Sequence, residues 1–362
     1  MRILVVNAGS SSVKLRLLDA NQVVGSADLA AGSHGFDVDA MRDEVSDWPA
    51  PDAIGHRIVH GGTRFTSPVR VNAEVRSALA ALTELAPLHQ PKSIAGLDAV
   101  TELFPDTPSV ACFDTAFHAT LPAEASTYPI PRPWRDDFRI RRYGFHGLSH
   151  AYGSRRAAAM LGRPIGDLRI VSCHLGAGAS LAAVAGGRSI DTTMGFTPLD
   201  GLVMSTRSGA IDPGIVLWLL QHGGLSVAEV ERALEHESGL SAFGGTGDMR
   251  AVVAAAESGG DDAALAIAVY VHRLAAAIGS MTASLGGLDA LLFTGGVGEH
   301  SPLIRARTTD RLRFLGIEID DARNLDASGD TNISAVGSAV ATLVIEARED
   351  LQIARDVVAL IG

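Results

Sequence analysis

The hydrophobic pattern of the chain consists of short apolar runs that break at clusters of glycine, serine and asparagine. Residues 2–6 are apolar after the first position and run into Asn7. A turn of small residues follows at 7–12, and residues 13–18 then place Val13, Leu15 and Leu17 in alternation with Lys14 and Arg16. Alternation with a period of two beside a glycine-containing turn predicts a β-hairpin with one apolar and one basic face. The arrangement recurs as a strand at 168–173, a small-residue turn at 174–180 and a returning strand at 181–184. Two such units, one opening each half of the chain, point to an internal duplication.

Helical spacing occupies much of the remainder. Residues 72–85 read as a helix that stops before Pro87. Ser226-Val227-Ala228-Glu229 is a capping-box pattern, in which a serine hydroxyl and a glutamate three residues on satisfy each other's backbone amides, and it predicts a helix running to Gly239. Ser301-Pro302 opens another, with proline where its missing N–H costs nothing and Gly316 past the end. Residues 336–345 read as a strand, and a final helix is predicted from Glu349 to Leu360. Strands and helices alternate in both halves, which is the pattern of an α/β protein with mixed sheets.

The length of 362 residues favours two domains, and 47% apolar residues supply their cores. A formal charge of -11 argues against nucleic-acid binding, which requires basic surface to displace phosphate counterions. Cys112 and Cys173 stand far apart among apolar neighbours and read as buried thiols of a reducing compartment. The opening apolar stretch is too short for a signal peptide. The Ala-rich segment 263–285, the most membrane-like in the chain, has Asp261 and Asp262 before it and His272 and Arg273 within it. A cytoplasmic location is expected.

Three glycine-containing turns bear on chemistry. The turn at 7–12 can present backbone amides and hydroxyls, Ser12 among them, to phosphate oxygens, with Lys14 adding a point charge. An ordinary tight turn has the same composition, so this segment gains weight only in company. His174-Leu175-Gly176-Ala177-Gly178 lacks the third glycine of a dinucleotide fingerprint and is followed by a strand, which argues against a Rossmann unit. Gly295-Gly296-Val297-Gly298-Glu299-His300 follows the apolar strand 290–293, where glycines let backbone approach a ligand closely. Arg57 and Arg207 are flanked by small or apolar residues, a setting that suits a guanidinium gripping carboxylate or phosphate. Asp114 ends the apolar strand 109–113, and His146 lies between Phe145 and Gly147. Structural ion pairs would account for either arginine taken singly.

Assembled in order, segments 7–14, 56–62, 85–89, 113–118, 142–150, 174–180, 197–213, 247–250, 293–299 and 349–355 give the chain a resemblance to the acetate kinase family over nearly its whole length. The resemblance implies a duplicated actin-like ATPase (ribonuclease H-like) fold, α/β, with two mixed-sheet domains and helices around an interdomain cleft. Residues 1–148 would form the first domain, completed by a C-terminal helix at about 352–362, and residues 149–351 the second, nucleotide-binding one. It further implies a homodimer that moves phosphoryl groups between ATP and acetate or another short carboxylic acid, with Mg2+ required and Mn2+ able to replace it, and no nucleic-acid or membrane partner.

Carried over by position, Arg57 and Arg207 resemble the arginines that grip acid and phosphoryl group, His146 the transition-state stabiliser and Asp114 the active-site aspartate. Val59, Leu88, Phe145 and Pro198 resemble the pocket for the methyl end of the acid, and Asn7 and Glu349 the residues that place Mg2+. Ser12, Lys14, His174, Leu175, Gly176, Ala177, Gly178, Asp248, Met249, Arg250, Gly296, Val297, Gly298, Glu299 and His300 would hold ATP. A carboxylate nucleophile is already ionised at neutral pH, with a pKa of about 4, so no general base is needed and Asp114 is expected to orient Arg57 or the metal.

Two positions depart from the family pattern. Ala177 stands where asparagine is usual, removing an amide hydrogen bond worth about 0.5–1.5 kcal/mol, and His300 stands where another asparagine is usual. Both point to altered nucleotide binding with activity retained. A propionate or butyrate kinase of the same superfamily is the nearer alternative, and a non-catalytic actin- or Hsp70-like switch the remoter one. A sugar kinase would need a base for a hydroxyl and many polar sugar contacts.

Overall fold

Strands β1 (Arg2–Ala8) and β2 (Ser12–Asp19) pair antiparallel, and β3 (Gln22–Ala30) extends the meander on the far side of β2. The computed structural model describes residues 1–8, 12–30, 36–85 and 90–362. The tip of the first hairpin, including Gly9, and Leu88 of the expected acid pocket lie outside the described residues. The other edge of β1 pairs in parallel with β4 (Ala53–Ile58), which pairs in parallel with β6 (Ser109–Phe113), and the short β5 (Val69–Arg70) closes that edge antiparallel. The sheet order is β3-β2-β1-β4-β6-β5.

Residues 290–344 repeat this plan with the other hairpin. β7 (Arg169–Leu175), β8 (Ala179–Ala185) and β9 (Arg188–Thr192) form the meander, while β10 (Ala290–Thr294) and β12 (Ala341–Val344) run parallel to β7. The short β11 (Thr331–Asn332) closes the edge antiparallel, giving the order β11-β12-β10-β7-β8-β9. Reversed, this is the first sheet strand for strand, including the sense of every pairing. Two recurring hairpins in the sequence thus mark two copies of one six-stranded plan.

The chain divides into two compact units. One comprises Met1–Ala119, Phe145–Tyr152 and Arg348–Gly362, and the other Thr120–Gly144 and Gly153–Ala347. Residues 120–144, grouped with the first domain on sequence, cluster with the second unit.

In the first unit both faces of β1 are buried, which explains its uninterrupted apolar run. Leu4 and Val6 pack with Val13, Leu15 and Leu17 against Met41, Ala99 and Val100 of the helices Val38–Val45 and Gln90–Leu103. Ile3 and Val5 pack on the other face against Ile353, Ala354 and Val357 of the helix Glu349–Ile361. In the second unit the helix Asp261–Leu285 lies on β7, β8 and β9 and buries Ala266, Ile267, Tyr270, Leu274 and Ile278. That helix is long and apolar enough to cross a membrane by length and composition.

Three predicted boundaries shift for local reasons. The helix expected over 72–85 spans Ala73–Ala80, because the Thr83 hydroxyl donates to the Ala80 carbonyl and closes the end in a short 3-10 turn at Thr83–Leu85. The helix from Ser226 has its capping box and ends at His236. The strand expected over 336–345 shrinks to Ala341–Val344, since Gly337 takes φ +87 and turns the chain just before it.

Candidate active site

In the first unit, the carboxyl ends of three adjacent parallel strands bring together residues far apart in sequence, as expected at such ends of an α/β sheet. β1 supplies Asn7, β4 supplies Arg57 and the residue after β6 is Asp114. Arg57 is held in a fork, with Nε 3.0 Å from Oδ1 and Nη2 2.6 Å from Oδ2 of Asp114. Its Nη1 donates to Asn7 Oδ1 at 3.1 Å, and Asn7 Nδ2 donates to Glu349 Oε2 at 3.2 Å. Asp114 is 1% exposed and Arg57 18%. Burial by itself lowers the Arg57 pKa, but the adjacent carboxylates of Asp114 and Glu349 outweigh it and raise the pKa, so the guanidinium stays charged.

Glu349 opens the helix Glu349–Ile361, an end where a carboxylate is stabilised by the helix dipole. Both of its contacts fall on Oε2, the second being Arg57 Nε at 3.8 Å. Among the described residues the cluster brings the carboxylates of Asp114 and Glu349 to the one guanidinium of Arg57. No group of three or more His, Cys, Asp or Glu suited to a metal occurs among the described residues. One carboxylate and one amide fit Mg2+, which usually keeps several waters and is bound through one or two carboxylates plus substrate phosphates.

His146 is placed by its backbone. It adopts φ +55, a left-handed conformation that costs a non-glycine residue about 1–2 kcal/mol, and its carbonyl accepts the first bond of the helix Gly147–Leu161 from His150 N at 3.0 Å. The next residue, Gly147, donates its N–H to the Asp114 carbonyl at 2.9 Å. A Cβ at Gly147 would collide with that same oxygen, so only glycine lets the helix start here. Phe145 is 2% exposed and its carbonyl accepts from His118 Nε2 at 2.9 Å; Val59, just past β4, is 7% exposed. Burial pushes the pKa of His118, His60 and His56 down to about 4, so all three are neutral and His118 carries its proton on Nε2.

In the second unit two of the segments expected to hold ATP are neighbours. β7 and β10 are neighbours in parallel register, pairing His174 with Thr294, so the turn after β7 and the glycine segment after β10 lie side by side. Gly295, at φ +77, approaches so closely that a Cβ would stand 2.9 Å from the Leu175 carbonyl oxygen. Gly295–His300 is a short helix, and Glu299 folds back so that its Oε1 accepts from Gly295 N at 2.8 Å and Ala347 N at 3.0 Å. In the turn Gly176 N donates to Gly178 O at 3.0 Å, and the exposed Ala177 accepts at its carbonyl from Ser205 N at 3.1 Å, tying the turn to the loop that carries Arg207. Gly247 packs so close to the same loop that a Cβ would stand 2.8 Å from the Ser205 carbonyl oxygen.

Asp248 caps the helix Met249–Glu257 through Arg250 N at 2.9 Å and pairs with the Arg250 guanidinium at 3.0 Å. The Met249 side chain is buried, so that residue has only backbone to offer a nucleotide. Gly296 and His300 are exposed, Val297 is half-buried and Gly298 buried. Ser12 and Lys14 stand on β2 in the first unit, Lys14 paired across the ladder with Asn7 and Asp28. Pro198 is half-buried in the second unit.

Two further residues support these segments. Arg305 is buried, with Nη1 on the carbonyls of Gly298 at 2.9 Å and Glu299 at 2.7 Å and with Nε on Asn324 Oδ1 at 2.7 Å. Burial lowers its pKa to about 10, which still leaves it charged at neutral pH. His118 fixes the Phe145 carbonyl beside His146. The segment 113–118 flagged His118 in the sequence, whereas Arg305 sits in an ordinary-looking helix and gave no signal.

The chain matches the Acetokinase family over residues 37–355. It belongs to that family. The acetate kinase of Clavibacter sepedonicus is 47% identical over 392 aligned residues, covering 99% of each chain. The crystal structure of Porphyromonas gingivalis acetate kinase superposes with a TM-score of 0.91 at 33% identity over 100% of both chains. A propionate kinase from Francisella tularensis subsp. tularensis SCHU S4 superposes with a TM-score of 0.91 at 38% identity over 98% of each. The likeness extends over both units, and the actin-like fold expected from the sequence is the one found.

Proposed function

We propose that the protein transfers the γ-phosphoryl group of ATP directly and reversibly to acetate, giving acetyl phosphate and ADP. The observation that carries this reading is the Arg57 cluster, a guanidinium fixed by a buried aspartate beside Asn7 and Glu349, in a chain of the Acetokinase family. Phosphoryl transfer through a loose transition state depends on positioning and on countering charge on the equatorial oxygens. Arg57 receives the carboxylate, Val59 and Phe145 its methyl end, and Arg207 and His146 counter charge on the transferring phosphoryl group. The turn 174–178 and the segments 248–250 and 296–300 hold the nucleotide. Asn7 and Glu349 would hold Mg2+, which when bound neutralises phosphate charge. Asp114 has both oxygens engaged by Arg57, which suits an orienting carboxylate and not a base. On resemblance alone we add a cytoplasmic homodimer.

The propionate kinase likeness favours one second reading, since an apolar pocket discriminates a methylene by only about 1–3 kcal/mol. Incubation with MgATP, hydroxylamine and formate, acetate, propionate or butyrate in turn is expected to yield most hydroxamate with acetate. A higher kcat/KM for propionate would transfer the assignment, and no hydroxamate with any acid would end it.

A further inference from the structure

The two arginines singled out in the sequence are each held by a carboxylate from another element. For Arg57 that partner is Asp114; for Arg207 it is Glu235, whose Oε2 lies 3.0 Å from Nε, with the two side chains 16% and 19% exposed respectively. We propose that Glu235 is a positioning residue for Arg207, fixing the guanidinium at Nε while Nη1 rests 4.0 Å from Met204 Sδ, so that the arginine holds one orientation for its part in phosphoryl transfer. The inference rests on the functional reading above and deepens it.

The backbone makes the pair a fixed unit. Glu235 is in the last turn of the helix Val227–His236, and the Arg207 loop is laced to that helix end. Thr206 Oγ1 donates to the Glu235 carbonyl at 2.9 Å, Ser208 N to the Leu234 carbonyl at 3.2 Å and Ser238 N to the Thr206 carbonyl at 2.9 Å. Of the neighbouring charges on the helix, Arg232 pairs with Glu237 at 3.0 Å, leaving the Glu235 carboxylate to Arg207.

Helix stability does not account for an acid at this position. Negative charge in the last turn opposes the helix dipole, and the favourable first-turn place is already taken by Glu229 of the capping box. A carboxylate kept at the unfavourable end, half-buried on an arginine, is explained by what it does to that arginine. The same loop contacts the Ala177 turn, so an arginine fixed here is also fixed relative to the nucleotide segments of its own unit.

The test is a double-mutant cycle on the full-length protein, with Glu235→Ala, Glu235→Gln, Arg207→Ala and Arg207→Ala/Glu235→Ala. Steady-state rates are measured with acetate and ATP, alongside melting temperature. Misplacing a positioned group costs about a hundredfold, so Glu235→Ala is expected to lower kcat by roughly that factor while KM for acetate changes by less than about threefold. Glu235→Gln, which keeps an acceptor but no charge, should lose about tenfold with its melting temperature unchanged. In the Arg207→Ala background, removing Glu235 should cost nothing further. The pairing is overturned if either Glu235 variant keeps the parent's kcat, or if Glu235→Ala slows Arg207→Ala as much as it slows the parent. Should Glu235→Ala fail to fold, the isosteric glutamine variant completes the cycle. A parent that makes no acyl phosphate overturns both readings; an active parent with a slow Arg207→Ala and an unimpaired Glu235→Ala overturns the pairing alone.

Discussion

At the residue scale, Asp114 separates an orienting carboxylate from a catalytic base. Its fork with Arg57 accounts for both oxygens, and the nucleophile it would serve needs no deprotonation at neutral pH. Asp114→Asn is therefore expected to lower kcat by about a hundredfold through a displaced guanidinium. The shape of the pH–rate profile between about pH 5 and 7 should match the parent's. Selective loss of an ascending limb there would identify Asp114 as a base. Breaking a buried pair by removing one charge also destabilises by about 3–5 kcal/mol, and the partner Glu349 at 3.8 Å limits the loss to the lower end, measurable by urea unfolding. Arg57 stood out in the sequence because its neighbours are small or apolar, and Asp114 because it ends an apolar strand. Glu235 was not, because it looks like any charge on the polar side of a helix until Arg207 arrives from a distant loop.

At the scale of elements, the proposed site residues stand where parallel strands end. β1, β4 and β6 deliver Asn7, Arg57 and Asp114, and β7 with β10 delivers the two glycine segments of the second unit. The junction at Gly295 combines φ +77 with a neighbour that leaves no space for a Cβ. Gly295→Ala should therefore cost at least about 1 kcal/mol of stability and weaken ADP binding about tenfold, read by calorimetric titration. An unchanged ADP affinity would remove Gly295–His300 from the nucleotide site. Hairpins were readable from alternation because their turns are local. The helix at Gly295–His300 was not, since three glycines in six residues disfavour a helix intrinsically, and it is held instead by Glu299 and Arg305.

At the scale of the molecule, stability is tied to acid pH through buried histidines. His56, His60 and His118 lie in the first unit, each 1% exposed or less, with burial lowering each pKa from 6.5 to about 4. Below pH 6.5 the unfolded chain takes up protons at these sites that the folded chain refuses. Stability is therefore complete above that pH and is lost as pH falls from 6.5 toward 4. The expected loss is roughly 2 kcal/mol per histidine at pH 5. Urea unfolding at pH 7.5, 6 and 5 measures it, and replacing His56 by Gln should flatten the dependence by about one histidine's share. A pH-independent unfolding free energy over this range would show that the histidines protonate without unfolding. The duplicated sheet plan belongs to the same scale. Two similar hairpins hinted at it, and the matching order of all twelve strands established it.

What the sequence determined by itself was local and periodic: the hairpins, the capping box, the α/β class, the arginines in small-residue settings and, through a series of long motifs, the family. These follow from nearest-neighbour chemistry, in which alternation, caps and turns are written within a few residues. Tertiary structure alone decided which carboxylate holds which arginine and that a buried Arg305 anchors the glycine helix. It also decided that the Met249 side chain is core and not ligand surface, and that residues 120–144 group with the second unit. Those outcomes depend on contacts between segments tens to hundreds of residues apart. Hydrophobic burial and strand register choose such contacts, and no local pattern encodes them.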